Sequence, residues 1–251
     1  MLADDLATAL DPARVMTRAD LPPDPWQADL PRSRAQRALL LCTRQAGKST
    51  VTAALALHEA LYRPPALVLL LSPSLRQSGE LFRKVATFYQ SFGKTAPVEA
   101  ETALRLELAN GSRIVSLPGK EETIRCYSGV SLLILDEAAR VPDDLYFAVR
   151  PMLAVSGGRL IGLSTPFGKR GWFFDTWQNG GPDWTRVKVT AHDCPRIAPA
   201  FFEEERAALG DWWYRQEYLC EFVETSDTLF AFDLVTAALS SEVKPLFEVS
   251  P

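Results

Sequence analysis

The chain alternates between short apolar runs and longer mixed stretches, and the period of the mixed stretches changes along its length. "ALLLCT", from Ala38, is apolar, short and closed by a loop, which is the pattern of a buried strand. "GKSTVTAALALHEALY" follows, rich in alanine and leucine and stopped by Pro64-Pro65. It is apolar almost all round, so it reads as a helix packed on both sides. "ALVLLLS" (66–72) predicts a second buried strand. Over 75–92, Leu81, Phe82, Val85, Phe88 and Tyr89 recur at helical spacing. The period then falls to two: "ALRLELANGSRIVSLP" alternates about Asn110-Gly111, a hairpin signal. "SLLILDE" (131–137) reads as a third buried strand and 143–153 as a helix. After these come strand "RLIGLST" (159–165), helix "GWFFDTWQN" and strand "WTRVKVTA" (184–191). Two helical segments, 199–209 and 211–222, end the pattern, while residues 1–37, rich in Pro, Asp and Arg, read as an irregular lead-in with a short helix. Strands alternating with helices imply an α/β fold, with a mostly parallel central sheet flanked by helices and one inserted β-hairpin.

Length and composition narrow the class. The 251 residues suit one large domain or two small ones. No apolar run reaches the ~20 residues that span a bilayer, and "MLADDLATALDPARV" is acidic where a signal peptide would be basic. Cys42, Cys126, Cys194 and Cys220 form no CxxC pair, and only His58 and His192 accompany them, so zinc is not expected and a reducing cytoplasm is the natural setting. The net charge of -4 argues against a chain that coats nucleic acid tightly by itself, though not against a local basic face.

The chemistry begins between the first strand and the first long helix. "CTRQAGKS" fits the phosphate-loop pattern G-x-x-x-x-G-K-[ST] except that Cys42 stands where glycine is usual. Cys42, Thr43, Arg44, Gln45, Ala46, Gly47, Lys48, Ser49 and Thr50 are therefore the candidate nucleotide-binding residues. Gly47 would let backbone amides approach phosphate oxygens at a helix N-terminus. Lys48 would reach the β- and γ-phosphates, and Ser49 would offer its hydroxyl to Mg²⁺. "LLILDE" supplies the complementary strand: Asp136 at its end to hold Mg²⁺ and Glu137 to orient or deprotonate a water. Both motifs are expected on neighbouring strands, beyond their carboxyl ends, where ligands bind in such sheets.

At this point "TRQAGKST", "LLILDEAA" and "GLSTPFGKRGWFFDTW" together resemble the ATPase domain of the large terminase subunits of tailed bacteriophages. The resemblance runs from about Pro23 to Phe230. It implies a P-loop NTPase of the RecA-like, ASCE type, with ATP and Mg²⁺ as its cofactors. That family often carries an arginine where this chain has Arg44, so the loop looks intact and specialised despite Cys42. "DPWQADL" is similar to the family's adenine-recognition segment and places Gln27 at the base; the plainer reading of a Trp-Gln pair is packing. "GLSTP" resembles the coupling motif, giving Ser164 and Thr165 the task of sensing the γ-phosphate; a strand end with a proline stop is the plainer alternative. "IRCYSGVSLLILDE" is similar to the segment carrying an arginine finger, which makes Arg125, otherwise a surface arginine, a fourth candidate catalytic residue beside Glu137, Lys48 and Arg44. "WWYRQEYLCEF" is similar to the segment closing the ATPase part.

The resemblance also implies partners and organisation. They are double-stranded DNA, bound weakly by the isolated chain, a portal or procapsid, a small terminase subunit, and other copies of the chain in a ring, the isolated chain being monomeric and slow. The setting would be the cytoplasm of an infected bacterium. Residues 1–37 would form the lead-in, 38–230 the ATPase domain and 231–251 a tail. Large terminases also carry a C-terminal nuclease; "EVKPLFEVSP" ends about where it would begin, so no DNA cleavage is expected of this chain. Three other readings share the motifs. A helicase is one, with "LSPSLRQ" (71–77) similar to a helicase motif, although 251 residues leave no room for a second RecA-like domain. A different P-loop ATPase is another, and an ATP-binding assembly module with silent hydrolysis is the third.

Overall fold

The structure, a computed structural model, describes residues 2–33, 35–93, 96–119, 124, 127–224 and 232–238. Helices α1 (Leu2–Leu10), α2 (Arg14–Arg18) and α3 (Pro25–Arg32) precede strand β1 (Arg37–Cys42) and the long helix α4 (Lys48–Tyr62). There follow β2 (Leu67–Ser72), α5 (Leu75–Ser91), β3 (Val98–Thr102), β4 (Arg105–Leu108), β5 (Arg113–Pro118) and β6 (Leu132–Asp136). Next come α6 (Asp143–Val149), β7 (Arg159–Ser164), α7 (Gly171–Asn179), β8 (Trp184–Val189), α8 (Pro199–Glu217) and α9 (Phe232–Ala238).

All the strands join one sheet in the order β3-β4-β5-β2-β6-β7-β1-β8. From β5 to β8 the pairs are parallel. At the other edge β4 pairs antiparallel with both β5 and β3. The expected hairpin is therefore present, with Leu106 opposite Ile114 and Gly111 at φ +84°, a left-handed conformation that glycine adopts freely. Strand β3 was not expected. Its residues "VEAET" lie on the outer edge and are mostly exposed, so they carry no apolar alternation to read.

Consecutive residues of β1 explain the layering. Leu40 belongs to one core with Val51, Leu55, Leu70, Val85, Ile134 and Ile161. Leu39 and Leu41 belong to a second core with Leu69, Leu133, Leu135, Tyr146, Trp172 and Phe173. Period-two strands thus feed two buried faces, α4 and α5 covering one and α6 and α7 the other. The lead-in departs from the expected irregular stretch: it holds three helices, and Val15, Met16 and Leu30 are buried in the first core beside α4. Helices this short leave little periodicity in a Pro-rich sequence; tertiary packing and the Asp24/Gln27 capping box sustain them. This second layer is why α4 could be apolar all round.

Two further boundaries differ. The helix expected over 143–153 ends as an α-helix at Val149 and continues as a 3-10 turn through Pro151, which has no N–H for the ladder. The two segments expected at 199–209 and 211–222 form one kinked helix that ends at Glu217, with Gly210 at φ 75°, ψ 165° at the kink. Strand order supplies a third difference: β7 lies between β1 and β6, so the phosphate loop and "LLILDE" are not on adjacent strands as expected.

A candidate nucleotide-binding cleft

The loop after β1 turns through Gln45 at φ 62° and Gly47 at φ 86° before α4 begins. A side chain at Gly47 would be strained by that φ, and its Cβ would also overlap the amide nitrogen of Gln27. Arg44, Gln45, Gly47, Lys48, Ser49 and Thr50 line a cleft of about 980 Å³, together with Gln27, Gln77, Lys84, Glu137, Arg140 and Arg196. Cys42, Thr43 and Ala46 are buried behind this lining. Cys42 is the last residue of β1 and packs in the first core, where burial pushes its thiol far above the ordinary range. A small apolar residue therefore suits that position structurally. Thr43 extends the strand, donating its N–H to the Val189 carbonyl at 2.9 Å and its hydroxyl to the Glu217 carbonyl at 2.6 Å.

The charged centre lies beyond the ends of β6 and β7. Asp136 is 7% exposed, and burial, with Glu137 beside it, raises its carboxyl to about 6 despite Lys48 nearby. It accepts the Glu137 N–H at 3.0 Å. Glu137 itself is held at φ 50°, ψ 42°, a conformation costly for a residue with a Cβ. Its carboxylate sits between two cations: Lys48 Nζ is 3.7 Å from Oε1, and Arg140 Nη1 donates to Oε2 at 2.9 Å. The same Arg140 nitrogen donates to Thr165 Oγ1 at 3.3 Å, and its guanidinium lies 4.6 Å from the Phe167 ring centre. Ser164, at the end of β7, is fully buried and its hydroxyl has no hydrogen-bond partner among the described residues.

Sequence reasoning missed Arg140. The signal was its place three residues after Glu137, one turn away, but only the position of β7 shows that it also reaches Thr165. Gln27, expected at the adenine, is 2% exposed with its amide already engaged. Its Oε1 accepts the Asp24 N–H at 2.9 Å, and its Nε2 donates to the carbonyls of Ala46 and Gly47 at 3.2 and 3.4 Å. In this arrangement Gln27 braces the loop against the lead-in. Asp24 is gripped in turn by Arg196, a second residue missed, through two 2.8 Å bonds. Arg44 is 68% exposed on its side chain and pairs with Glu217 at 2.7 Å, tying the loop to the end of α8. Arg125 lies outside the described residues.

The cleft fits a magnesium nucleotide on its own chemistry. Left-handed glycine leaves the space that phosphate oxygens need, and Lys48 supplies charge. Ser49 and Asp136 are oxygen donors, which a hard cation prefers. Among the described residues no cluster of three acidic, His or Cys ligands exists. A magnesium ion that keeps waters and phosphate ligands needs only one or two protein carboxylates. No described helix is long and apolar enough to cross a membrane.

The family described as "Terminase large subunit, T4likevirus-type, N-terminal" matches residues 39–237. The terminase large subunit of Thermus phage G20c is 27% identical over 241 residues, covering 82% of this chain and 50% of the relative. That of Escherichia phage T5 is 27% identical over 204 residues, covering 77% and 46%. The chain thus spans about half the length of the curated relatives it matches. Among solved structures, the large terminase ATPase domain of Thermus phage P74-26 superposes with a TM-score of 0.73 at 24% identity, over 83% of this chain and 97% of that one. A large terminase from a thermophilic bacteriophage, solved in complex with ADP, gives 0.61 at 15% identity, over 85% and 53%. At these identities the structural likeness is one of fold alone, an α/β domain with a mostly parallel sheet.

Proposed function

The chain belongs to the terminase large-subunit family through that family's N-terminal part, and from this premise we propose that it is a Mg²⁺-dependent ATPase whose turnover drives double-stranded DNA into a procapsid. The observation that carries the reading is the contact chain Lys48–Glu137–Arg140–Thr165, which joins the phosphate loop, the acidic strand end and the next strand end. Each member has a task in phosphoryl transfer. Lys48 neutralises the phosphate chain, and Glu137 orients the attacking water and takes its proton. Ser49 and Asp136 would hold Mg²⁺, which when bound offsets charge on the phosphate oxygens. Arg140 fixes Glu137, so a shift at Thr165 or Phe167 moves the carboxylate as well. That mechanical link is what coupling hydrolysis to DNA movement needs. Ser164 has a buried hydroxyl free to follow the same change.

Arg44 would leave Glu217 to meet the nucleotide, and Gln27 would release one backbone contact to meet the base. Residues 38–230 would act as the motor, with the lead-in forming one wall of the cleft. Arg125 would serve a neighbouring copy in a ring, beside a portal and a small subunit. The test is phosphate release from purified chain with ATP and Mg²⁺, with and without double-stranded DNA. Turnover that needs Mg²⁺ and rises with DNA supports the reading. Nucleotide binding without turnover, in conditions where copies assemble, would leave an ATP-binding assembly module instead.

A further inference from the structure

Helix α5 carries three cations at its surface, and the structure separates them. Arg76 and Arg83 are exposed, and Arg83 pairs with Glu80 at 2.9 Å. Lys84 is half-buried. It stands three residues after Leu81 and four before Phe88, both buried, so it sits at the margin of the helix's apolar face. Its stem follows that face and its ammonium emerges in the cleft, where Nζ donates to Thr50 Oγ1 at 3.1 Å.

Thr50 is a neutral partner. Among the described residues Lys84 makes no ion pair; Asp136 and Glu80 act on it only at longer range, and Lys48 opposes it. A half-buried ammonium whose nearest partner is neutral is costly. Its surroundings define what would relieve that cost: beside Glu137 the cleft is bordered by Lys48 and the N-terminus of α4, both of which favour an anion. Gln77, about two turns earlier on α5, lines the cleft too, so one side of the helix borders it at two points.

We propose that Lys84 is a second phosphate-binding lysine of this site, contributed by α5 rather than by the loop. This rests on the nucleotide reading above and extends it to an element outside the sequence motif. On binding, the ammonium exchanges Thr50 for a phosphate oxygen, so this one tie between α5 and α4 changes with the state of the nucleotide.

The experiment uses the full chain and two probes, ATPγS with Mg²⁺ and inorganic tripolyphosphate, the latter competing against a fluorescent nucleotide. Lys84→Met is expected to weaken both by roughly 10–100-fold, the loss of one charge-assisted bond, and to flatten the salt dependence of binding. Lys84→Arg should restore most of the affinity. The melting temperature of the nucleotide-free protein should hold or rise in Lys84→Met, since an apolar stem replaces an unpaired charge. A lowered melting temperature with unchanged tripolyphosphate affinity would overturn the proposal, leaving Lys84 as a tie between helices. Should Lys84→Met not fold, Lys84→Gln, one atom shorter but still polar and uncharged, is judged by the same affinities. Lys48→Ala separates the two ideas. If wild type binds and Lys48→Ala does not, while the Lys84 variants match wild type, only the Lys84 proposal falls. Wild-type protein that is folded yet binds neither probe would overturn the nucleotide reading and Lys84 with it.

Discussion

At the N-terminal edge of the sheet, Arg159 is 7% exposed and its guanidinium donates to the carbonyls of Ala35 and Ser33 at 3.0 and 3.1 Å. At the C-terminal edge, Asp136 is equally buried and makes no ion pair among the described residues. Near Arg159, Glu59 has Arg63 at 3.5 Å. Near Asp136, Lys84 has a hydroxyl, Glu137 has a strained backbone and Ser164 has a hydroxyl without a partner. The same strands thus end in two kinds of polar environment. One is satisfied by the protein itself and joins the lead-in to the sheet. The other keeps a buried carboxylate without an ion pair and a buried hydroxyl without a hydrogen-bond partner among the described residues. Buried charge alone does not mark a functional site; buried charge without a protein partner does.

The sharpest break of this contrast is at Glu137. Glu137→Gln should keep ATPγS affinity while turnover falls by about 10²–10⁴, measured by steady-state phosphate release beside calorimetry. Wild-type turnover in that variant would remove Glu137 from the chemistry. Next in size, Lys48→Ala should lower nucleotide affinity by roughly 10²-fold or more; Glu137 keeps Arg140, so the melting temperature should change little.

Asp136→Asn tests the incomplete end directly. Its carboxyl, held near 6 in the metal-free fold against 3.8 when free, is ionised at pH 8 at a cost of about 3 kcal/mol to the folded state. A raised carboxyl favours folding only when protonated, and that advantage is lost as pH rises through 6. The Asn variant, in chelator, should therefore melt higher than wild type at pH 8, with the gap closing as pH falls through 6 toward 4. Its Mg²⁺-dependent nucleotide binding should be lost. No stabilisation at pH 8 would mean Asp136 has a partner. Smallest is the matching change at the other end. Arg159→Met should cost about 2 kcal/mol of stability, read by denaturant unfolding, and leave nucleotide affinity alone. An affinity loss without destabilisation would erase the distinction between the two ends.

The sequence carried the layered α/β fold because short apolar runs such as "ALLLCT", "ALVLLLS" and "SLLILDE" alternate with helical stretches, a pattern set by local backbone geometry. Its candidates Gly47, Lys48, Ser49 and Glu137 line one cleft, with Asp136 next to Glu137, because the loop and the strand end act over a few consecutive residues. Lys84 stands at the margin of the stripe Leu81, Val85 and Phe88, beside Arg83, and nothing in that spacing separates it from its neighbour. The lead-in helices and β3 were hidden for opposite reasons, the first too short and tertiary-dependent, the second exposed and unpatterned.

Which partner each functional group takes was another matter. Arg140 meets Thr165, Arg196 meets Asp24 and Gln27 meets Ala46, pairs that lie 25, 172 and 19 residues apart. These contacts follow from β7 lying between β1 and β6 and from the lead-in folding back over α4. Periodicity and turn chemistry are short-range and survive in a linear reading. Strand order and the meeting of distant side chains are set by how whole faces bury against one another, and only the packed chain decides them.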